Sequence, residues 1–123
     1  MRNLTLLILC ITALALSACM GSTGKSTVES FISAVNAGEI NKAMELLTPE
    51  LRQNGRSEIL RNALESTAGK MKAKGGIKST EVNGSDTGDI GEYKVVSNYH
   101  KGNTDTDTFK VRKNLDGKWY LTF

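Results

Sequence analysis

The chain has 123 residues, of which 39% are hydrophobic and 24% charged, and its formal net charge is +3. This length suits a single domain with one modest core. The weak positive charge does not favour nucleic-acid binding, which requires a strongly basic patch.

The first 18 residues have the pattern of a bacterial secretion signal. Arg2 supplies positive charge, an apolar run extends over 4–16, and the small residues Ser17 and Ala18 follow it. The run is shorter than the roughly 20 residues that a membrane-spanning helix requires. We therefore interpret 1–18 as a cleaved signal peptide.

The four residues Leu16-Ser17-Ala18-Cys19 resemble the lipobox of bacterial lipoproteins. The resemblance implies cleavage before Cys19 and attachment of lipid, including palmitate, to its thiol. Residues 19–25 then form a flexible tether that holds the protein on a membrane of the cell envelope. Because Met20 follows the cysteine, the resemblance implies the outer membrane, facing the periplasm, if the source is Gram-negative. Cys10 leaves with the signal, so the mature chain can form no internal disulfide.

Residues 26–123 are expected to form a single α+β domain that begins with helices. Ser26 and Glu29 have the spacing of a capping box, which predicts a helix from Ser26 that ends at Gly38. Helical periodicity and proline placement predict three further segments: a short helix over 40–47, a brief turn over 49–53, and the longest helix from Ser57 to about Lys74.

After Gly75-Gly76 the sequence has the alternation and the Thr, Tyr and Val content of strands. Four strands are expected, over 77–82, 89–100, 105–113 and 118–123, with turns at 83–85, 101–104 and 114–117. Gly91 is expected to bend the second strand. The adjacent Val95 and Val96 indicate either burial on both faces or a bulge. The predicted core includes Trp119, Phe109, Phe31 and Phe123. The predicted fold is α+β, with about three N-terminal helices packed on a curved four-stranded antiparallel sheet.

Three segments carry a family resemblance: 31–39 (Phe-Ile-Ser-Ala-Val-Asn-Ala-Gly-Glu), 43–50 (Ala-Met-Glu-Leu-Leu-Thr-Pro-Glu) and the closing 116–121 (Asp-Gly-Lys-Trp-Tyr-Leu). They are similar to small cystatin-like lipoproteins of unknown function, which are relatives of the nuclear-transport-factor-like cone fold. The resemblance implies a helical layer on a curved sheet with a concave pocket. Enzymes built on this cone, such as ketosteroid-isomerase-like ones, place acid and base carboxylates in the pocket, and no such pair can be matched here.

Few residues are candidates for chemistry. His100 is the single histidine and is expected to be a solvated strand end, without the partners that a metal site needs. Asp105 and Asp107 share one side of a strand, where paired carboxylates could do acid–base work, but their polar neighbours favour ordinary solvated groups. The segment 86–89 (Asp-Thr-Gly-Asp) is interpreted as a turn rather than a calcium loop.

Four lysines cluster near the end of the longest helix: Lys70, Lys72, Lys74 and Lys78. They either complement the helix dipole or contact an anionic lipid or polyanion.

Tyr93, Tyr99 and Tyr120 are the candidates for a binding face, because amphipathic rings on a sheet can line a groove; burial in the core is the alternative. The sequence thus predicts a non-catalytic envelope lipoprotein whose domain binds a protein, peptide or small-molecule partner. The alternative is a pocket enzyme of the ketosteroid-isomerase-like cone type. No cofactor, no metal and no nucleic acid are expected.

Overall fold

The computed structural model describes residues 23–53 and 55–122. The expected signal peptide 1–18, the lipidation site Cys19 and the start of the expected tether lie outside the described residues, as do Asn54 and Phe123. Within the described part the predicted α+β class is confirmed, since three helices precede a four-stranded antiparallel sheet. None of the described helices is both long and apolar enough to cross a membrane.

The first helix, α1, spans Gly24–Asn36, so the expected tether over 19–25 is wrong at its end: Gly24 and Lys25 already belong to the helix. Its N-cap is Thr23, whose Oγ1 accepts a hydrogen bond from the backbone amide of Ser26 at 3.1 Å. The predicted capping box at Ser26 and Glu29 is therefore wrong, because Thr23 supplies the acceptor three residues earlier and Ser26 is buried inside the helix. The predicted end is confirmed: Gly38 follows the helix with a φ of +76°, in the left-handed region that favours glycine.

The other helical segments agree with the prediction except at their ends. α2 spans Ile40–Glu45, a 3-10 turn spans Pro49–Arg52, and α3 spans Arg56–Ala73. α2 is shorter than predicted because Leu47 forms a parallel bridge with Leu121 at the sheet edge. The backbone amide of Leu121 donates to the Leu46 carbonyl at 2.8 Å, so the segment after α2 covers the outer edge of the last strand.

The four strands are neighbours in chain order and pair antiparallel throughout. They are β1 (Ile77–Thr87), β2 (Ile90–Tyr99), β3 (Thr104–Lys113) and β4 (Trp119–Thr122). The predicted turn at 83–85 is wrong, since β1 continues to Thr87 and the turn lies at Gly88. Gly84 instead pairs with Tyr93, where a Cβ would lie 2.1 Å from the Glu92 carbonyl oxygen. A residue without a Cβ is therefore needed at position 84 for β1 and β2 to pack this closely.

β2 alternates regularly along its length. Tyr93, Val95, Ser97 and Tyr99 are buried, whereas Val96 is half-buried on the opposite face. Neither expected alternative for Val95 and Val96 applies, because the register irregularity lies in β1, between Ile77 and Ser79. Gly91 keeps regular pairing with both neighbouring strands.

The helices cover one face of the sheet, and α1 contacts all four strands. The core between the two layers includes Phe31, Val95, Val111, Trp119 and Leu121, so the predicted core positions of Phe31 and Trp119 are confirmed. Phe109 packs against this core, edge-on to Phe31 with ring centroids 6.0 Å apart. The opposite face, here called the open face, carries the odd-numbered residues of β1 from Ser79 onward and the even-numbered residues of β2, β3 and β4, none of which is buried.

Candidate functional site

The three tyrosines selected from the sequence do not form one binding face. Tyr93 and Tyr99 point toward the helices and are only 4% and 3% exposed. Tyr120 is half-buried and lies on the open face. The prediction of a shared tyrosine surface is wrong, because strand alternation places Tyr120 on the side of the sheet opposite the other two rings.

Tyr93 belongs to a polar cluster that joins α1 to the sheet. Its hydroxyl donates to Asp86 Oδ1 at 2.7 Å, and the backbone amide of Gly24 donates to Asp86 Oδ2 at 3.1 Å. Burial, together with the Asp86 hydrogen bond, raises the pKa of Tyr93 to about 12. A Cβ at Gly24 would lie 2.3 Å from Asp86 Oδ1, so glycine allows this close approach. The cluster is a structural connection between a helix start and two strands.

A second polar cluster lies between the end of α3 and β3. Lys74 Nζ contacts Asp105 Oδ2 at 2.7 Å and stands 5.0 Å from the centre of the Tyr99 ring. The hydrogen bond from Lys74 holds the pKa of Asp105 below its usual value, and the same bond raises the pKa of Lys74. A cavity of about 330 Å³ borders the cluster and is also lined by Asp107. Asp105 is thus an ion-paired carboxylate rather than a base poised near neutral pH.

The lysine cluster predicted near the end of α3 is present and gains Lys101 from the turn after β2. Lys101 Nζ donates to the Ala73 carbonyl at 2.9 Å, a contact that caps the helix C-terminus. Lys74 is engaged with Asp105, as described above. The Lys101 contact is of the kind that the helix-dipole interpretation expects, whereas Lys74 is held by its ion pair with Asp105.

His100 and the Asp86–Asp89 segment occupy ordinary structural positions. His100 is exposed, and its backbone amide donates to the Gly76 carbonyl at 3.0 Å. Asp86 faces Gly24 as described, while Asp89 is exposed in the turn beside Gly88. Within residues 23–53 and 55–122, no three His, Cys, Asp or Glu side chains are grouped to hold a metal ion.

A cleft of about 530 Å³ lies on the open face, toward the turn between β1 and β2. The side chains that line it from this face are Ser85, Thr87, Ile90, Glu92, Lys110, Arg112 and Thr122. Ile90 is 61% exposed, so the cleft offers apolar surface that no other element covers. The cleft exists because the helical layer packs only on the other face.

Of the charged side chains in the cleft, Arg112 already has partners within the domain, whereas Glu92 and Lys110 form no ion pair among the described residues. Arg112 Nη2 donates to Glu50 Oε2 at 2.5 Å, and this contact lowers the pKa of Glu50. Arg112 Nε donates to Asn114 Oδ1 at 3.0 Å. Glu92 and Lys110 are cross-strand partners, yet neither belongs to an ion pair within the described part of the chain. One anion and one cation therefore remain available to a ligand beside Ile90.

The cleft suits non-covalent binding. Hydroxyls of Ser85, Thr87 and Thr122 add hydrogen-bonding groups to its apolar and charged surface. The sequence has no cysteine after Cys19, and His100 lies beyond the other end of β2, so the cleft contains neither a thiol nor an imidazole. Ile90, Lys110 and Arg112 were not identified from the sequence, because alternating polar residues on a strand look the same whether the solvated face is flat or carries a cleft.

Comparison with solved structures identifies the fold. A Campylobacter jejuni protein, provisionally described as an NTF2-like transpeptidase, matches with a TM-score of 0.65 and 16% identity, covering 76% of this chain and 91% of that one. A SEC-C motif containing protein from Rhodopseudomonas palustris matches with a TM-score of 0.59 and 15% identity, covering 84% of this chain and 77% of that one. The first likeness confirms the predicted relation to the nuclear-transport-factor-like fold.

None of the curated protein sequences is a significant match. A family model does match, and it covers residues 17–122, which include every described helix and strand. The chain therefore belongs to the family described as a domain of unknown function, DUF4878.

Proposed function

We propose that this protein is a lipid-anchored lipoprotein of the cell envelope whose domain binds a partner in the open-face cleft and catalyses no reaction. The observation that carries the proposal is the uncovered cleft itself, in which exposed Ile90 lies beside Glu92 and Lys110, two charges that form no ion pair among the described residues. An apolar contact flanked by convergent polar groups is the usual composition of a binding site. The partner is an envelope protein, a peptide or a small molecule.

The anchor rests on the lipobox-like residues 16–19 and on where the domain begins. Cys19 precedes Thr23 by four positions, and a fully extended chain spans at most about 3.6 Å per residue. A lipid on Cys19 would therefore hold Thr23, the cap of α1, within about 14 Å of the bilayer surface. The domain needs no further membrane segment to stay at the membrane.

A cysteine-dependent form of the transpeptidase activity named for the Campylobacter jejuni neighbour has no matching thiol in this chain beyond Cys19. Transpeptidation proceeds through an activated nucleophile, which requires an adjacent base or a lowered pKa. The sequence beyond Cys19 has no cysteine, and its single histidine, His100, is exposed at a strand end. These features argue against acyl transfer by a cysteine–histidine pair in this domain.

The alternative function, a ketosteroid-isomerase-like pocket enzyme, would use the cavity beside Asp105 and Asp107. A general base works best with a pKa near the operating pH. The pKa of Asp105 is instead lowered by Lys74, and Asp107 is exposed. The arrangement therefore favours a structural ion pair at this place.

The anchor is tested by the mass of the protein extracted from membranes. We expect a chain that starts at Cys19 and carries acyl groups, and we expect Cys19→Ser to release it from the detergent phase. Long acyl chains gain about 0.8 kcal/mol for each buried methylene, so anchoring should be almost irreversible. An unmodified mass, or a mass that still includes residues 1–18, would refute the anchor.

The cleft is tested by a charge reversal with a matched control. Lys110→Glu places a second carboxylate opposite Glu92, and we expect about a tenfold loss of the partners that co-purify with the membrane-extracted protein, equivalent to about 1.4 kcal/mol. Lys94→Glu makes the same change on the same face outside the cleft lining and should retain them. Quantitative mass spectrometry of the co-purified material measures the difference. Equal loss or equal retention in both variants would contradict binding in the cleft.

A further inference from the structure

Three parts of the described chain meet at one end of the sheet, here called the anchor end: Thr23, the turn Thr87–Ile90 and the turn Asn114–Gly117. The amide of Gly24 donates to Asp86, next to the first turn. The amide of Lys113 donates to the Asp89 carbonyl at 2.7 Å, which holds the two turns side by side. The point where the chain enters the domain is therefore adjacent to both hairpin turns.

The anchor end carries one exposed apolar side chain in a turn, Leu115, and one directly after a turn, Ile90. Leu115 is fully exposed, at 109% of its reference area, and Ile90 on the neighbouring turn is 61% exposed. In the described residues only one other large hydrophobic side chain, Ile59, is exposed to this degree. A leucine at the tip of a polar turn has no packing role within the domain.

Lysines surround the two apolar side chains. Lys25, Lys113 and Lys118 are exposed, and none of them takes part in the two ion pairs found within the described part of the chain. Four acidic residues lie nearby, namely Asp86, Asp89, Glu92 and Asp116, and two of them accept hydrogen bonds from within the domain. Asp86 accepts from Gly24 and Tyr93, and Asp116 accepts from the Lys118 amide and the Tyr120 hydroxyl. The anchor end thus presents exposed apolar side chains together with lysines that are free of ion pairs among the described residues, while Asp86, Asp89 and Asp116 balance the formal charge of these lysines.

We propose that the anchor end docks on the surface of the bilayer that holds the lipid, with Leu115 entering the interface and the lysines contacting anionic phosphate groups. Exposed apolar side chains flanked by lysine are the combination that binds membrane interfaces. The proposal rests on the lipid anchor proposed above, because Cys19 lies within about 14 Å of Thr23 at full extension. Docking fixes the orientation of a domain that the tether alone would leave free to tilt.

In the proposed orientation, one end of the sheet lies at the bilayer and the other end points away from it. The ten residues of β2 span about 33 Å at 3.3 Å per residue, from Ile90 at the anchor end to Tyr99. The cleft lies near the anchor end, so its partner is met close to the membrane surface. In this orientation the lysine cluster at the end of α3, beyond Tyr99, would face away from the bilayer.

Fluorescence quenching in membranes tests the orientation. The lipidated protein is reconstituted into vesicles of phosphatidylcholine and phosphatidylglycerol with brominated acyl chains, which quench nearby fluorophores. Since the mature chain has no free thiol, single cysteines can be labelled at Leu115→Cys and, as the control at the opposite end, Asn103→Cys. We expect several-fold stronger quenching at position 115. In a chain labelled at Thr87→Cys, adding Leu115→Ser should reduce the quenching.

Charge-reversal variants form the second part of the experiment. Lys113→Glu combined with Lys118→Glu should abolish the excess quenching at position 115, whereas Lys78→Glu combined with Lys94→Glu should preserve it. Equal quenching at positions 115 and 103 in a vesicle-bound protein would overturn docking and leave the anchor intact. A protein that does not remain with the vesicles would refute the lipid anchor and the docking together.

Discussion

Asp86 links the N-terminus of α1 to the sheet, in addition to the apolar packing of that helix on the four strands. Its two carboxylate oxygens accept from a helix N-terminal amide and from a buried tyrosine hydroxyl. A carboxylate at this position also complements the positive end of the helix dipole. The contact fixes where the chain enters the domain, and through it the position of the proposed anchor relative to the two hairpin turns.

The Tyr93 hydroxyl is expected to contribute to stability in a pH-dependent way. Tyr93→Phe should cost about 1–2 kcal/mol at neutral pH, because it removes a hydrogen bond to a charged group. The pKa of Tyr93 is raised to about 12 from an ordinary value of 10, so the hydroxyl's contribution is complete below pH 10 and is lost as the pH rises toward 12. Denaturant unfolding of both proteins at pH 7, 10 and 11 measures the difference.

Tyr120→Phe is the matched control for this measurement. It also removes a hydroxyl bonded to a carboxylate, but the Tyr120–Asp116 bond is exposed and should contribute little at neutral pH. A loss on Tyr93→Phe no larger than that on Tyr120→Phe would show that the Asp86 cluster does not hold α1.

At the scale of elements, hydrophobic periodicity predicted every helix and strand that the structure describes, but not every boundary. Asn83-Gly84-Ser85 has the composition of a turn, yet Gly84 lies inside β1 because Tyr93 packs against its backbone. That requirement comes from a neighbouring strand and leaves no local signal. Ser26 and Glu29 matched a capping box, but Thr23 supplied an equivalent acceptor one turn earlier.

The candidate site was predicted less well than the fold. Residues were selected by chemical type, which led to the tyrosines, and two of them proved to be core residues. The cleft lies on the face that the helices leave uncovered, and alternation marks that face as polar without showing where it carries a cleft. Ile90 offered one local signal, an apolar residue directly after the Gly88-Asp89 turn, where polar residues are usual.

At the scale of the whole molecule, the helices cover only one face of a single sheet, so neighbouring residues of one strand have very different roles. Trp119 is 6% exposed beneath the helical layer, whereas Tyr120 lies half-buried on the open face. Trp119→Ala should cost about 3–5 kcal/mol, a large part of the 5–15 kcal/mol that stabilises a typical domain. Tyr120→Ala should cost clearly less, because it removes little core contact.

Thermal unfolding of the membrane-extracted protein and its two variants measures this asymmetry. We expect Trp119→Ala to be largely unfolded at 37 °C and Tyr120→Ala to retain a cooperative transition close to that of the unmodified protein. Circular dichroism is the suitable probe, since Trp119 is the chain's single tryptophan and its fluorescence is lost in the variant. Similar losses in both variants would show that the open face is also covered, in which case the cleft could not be the partner's binding site.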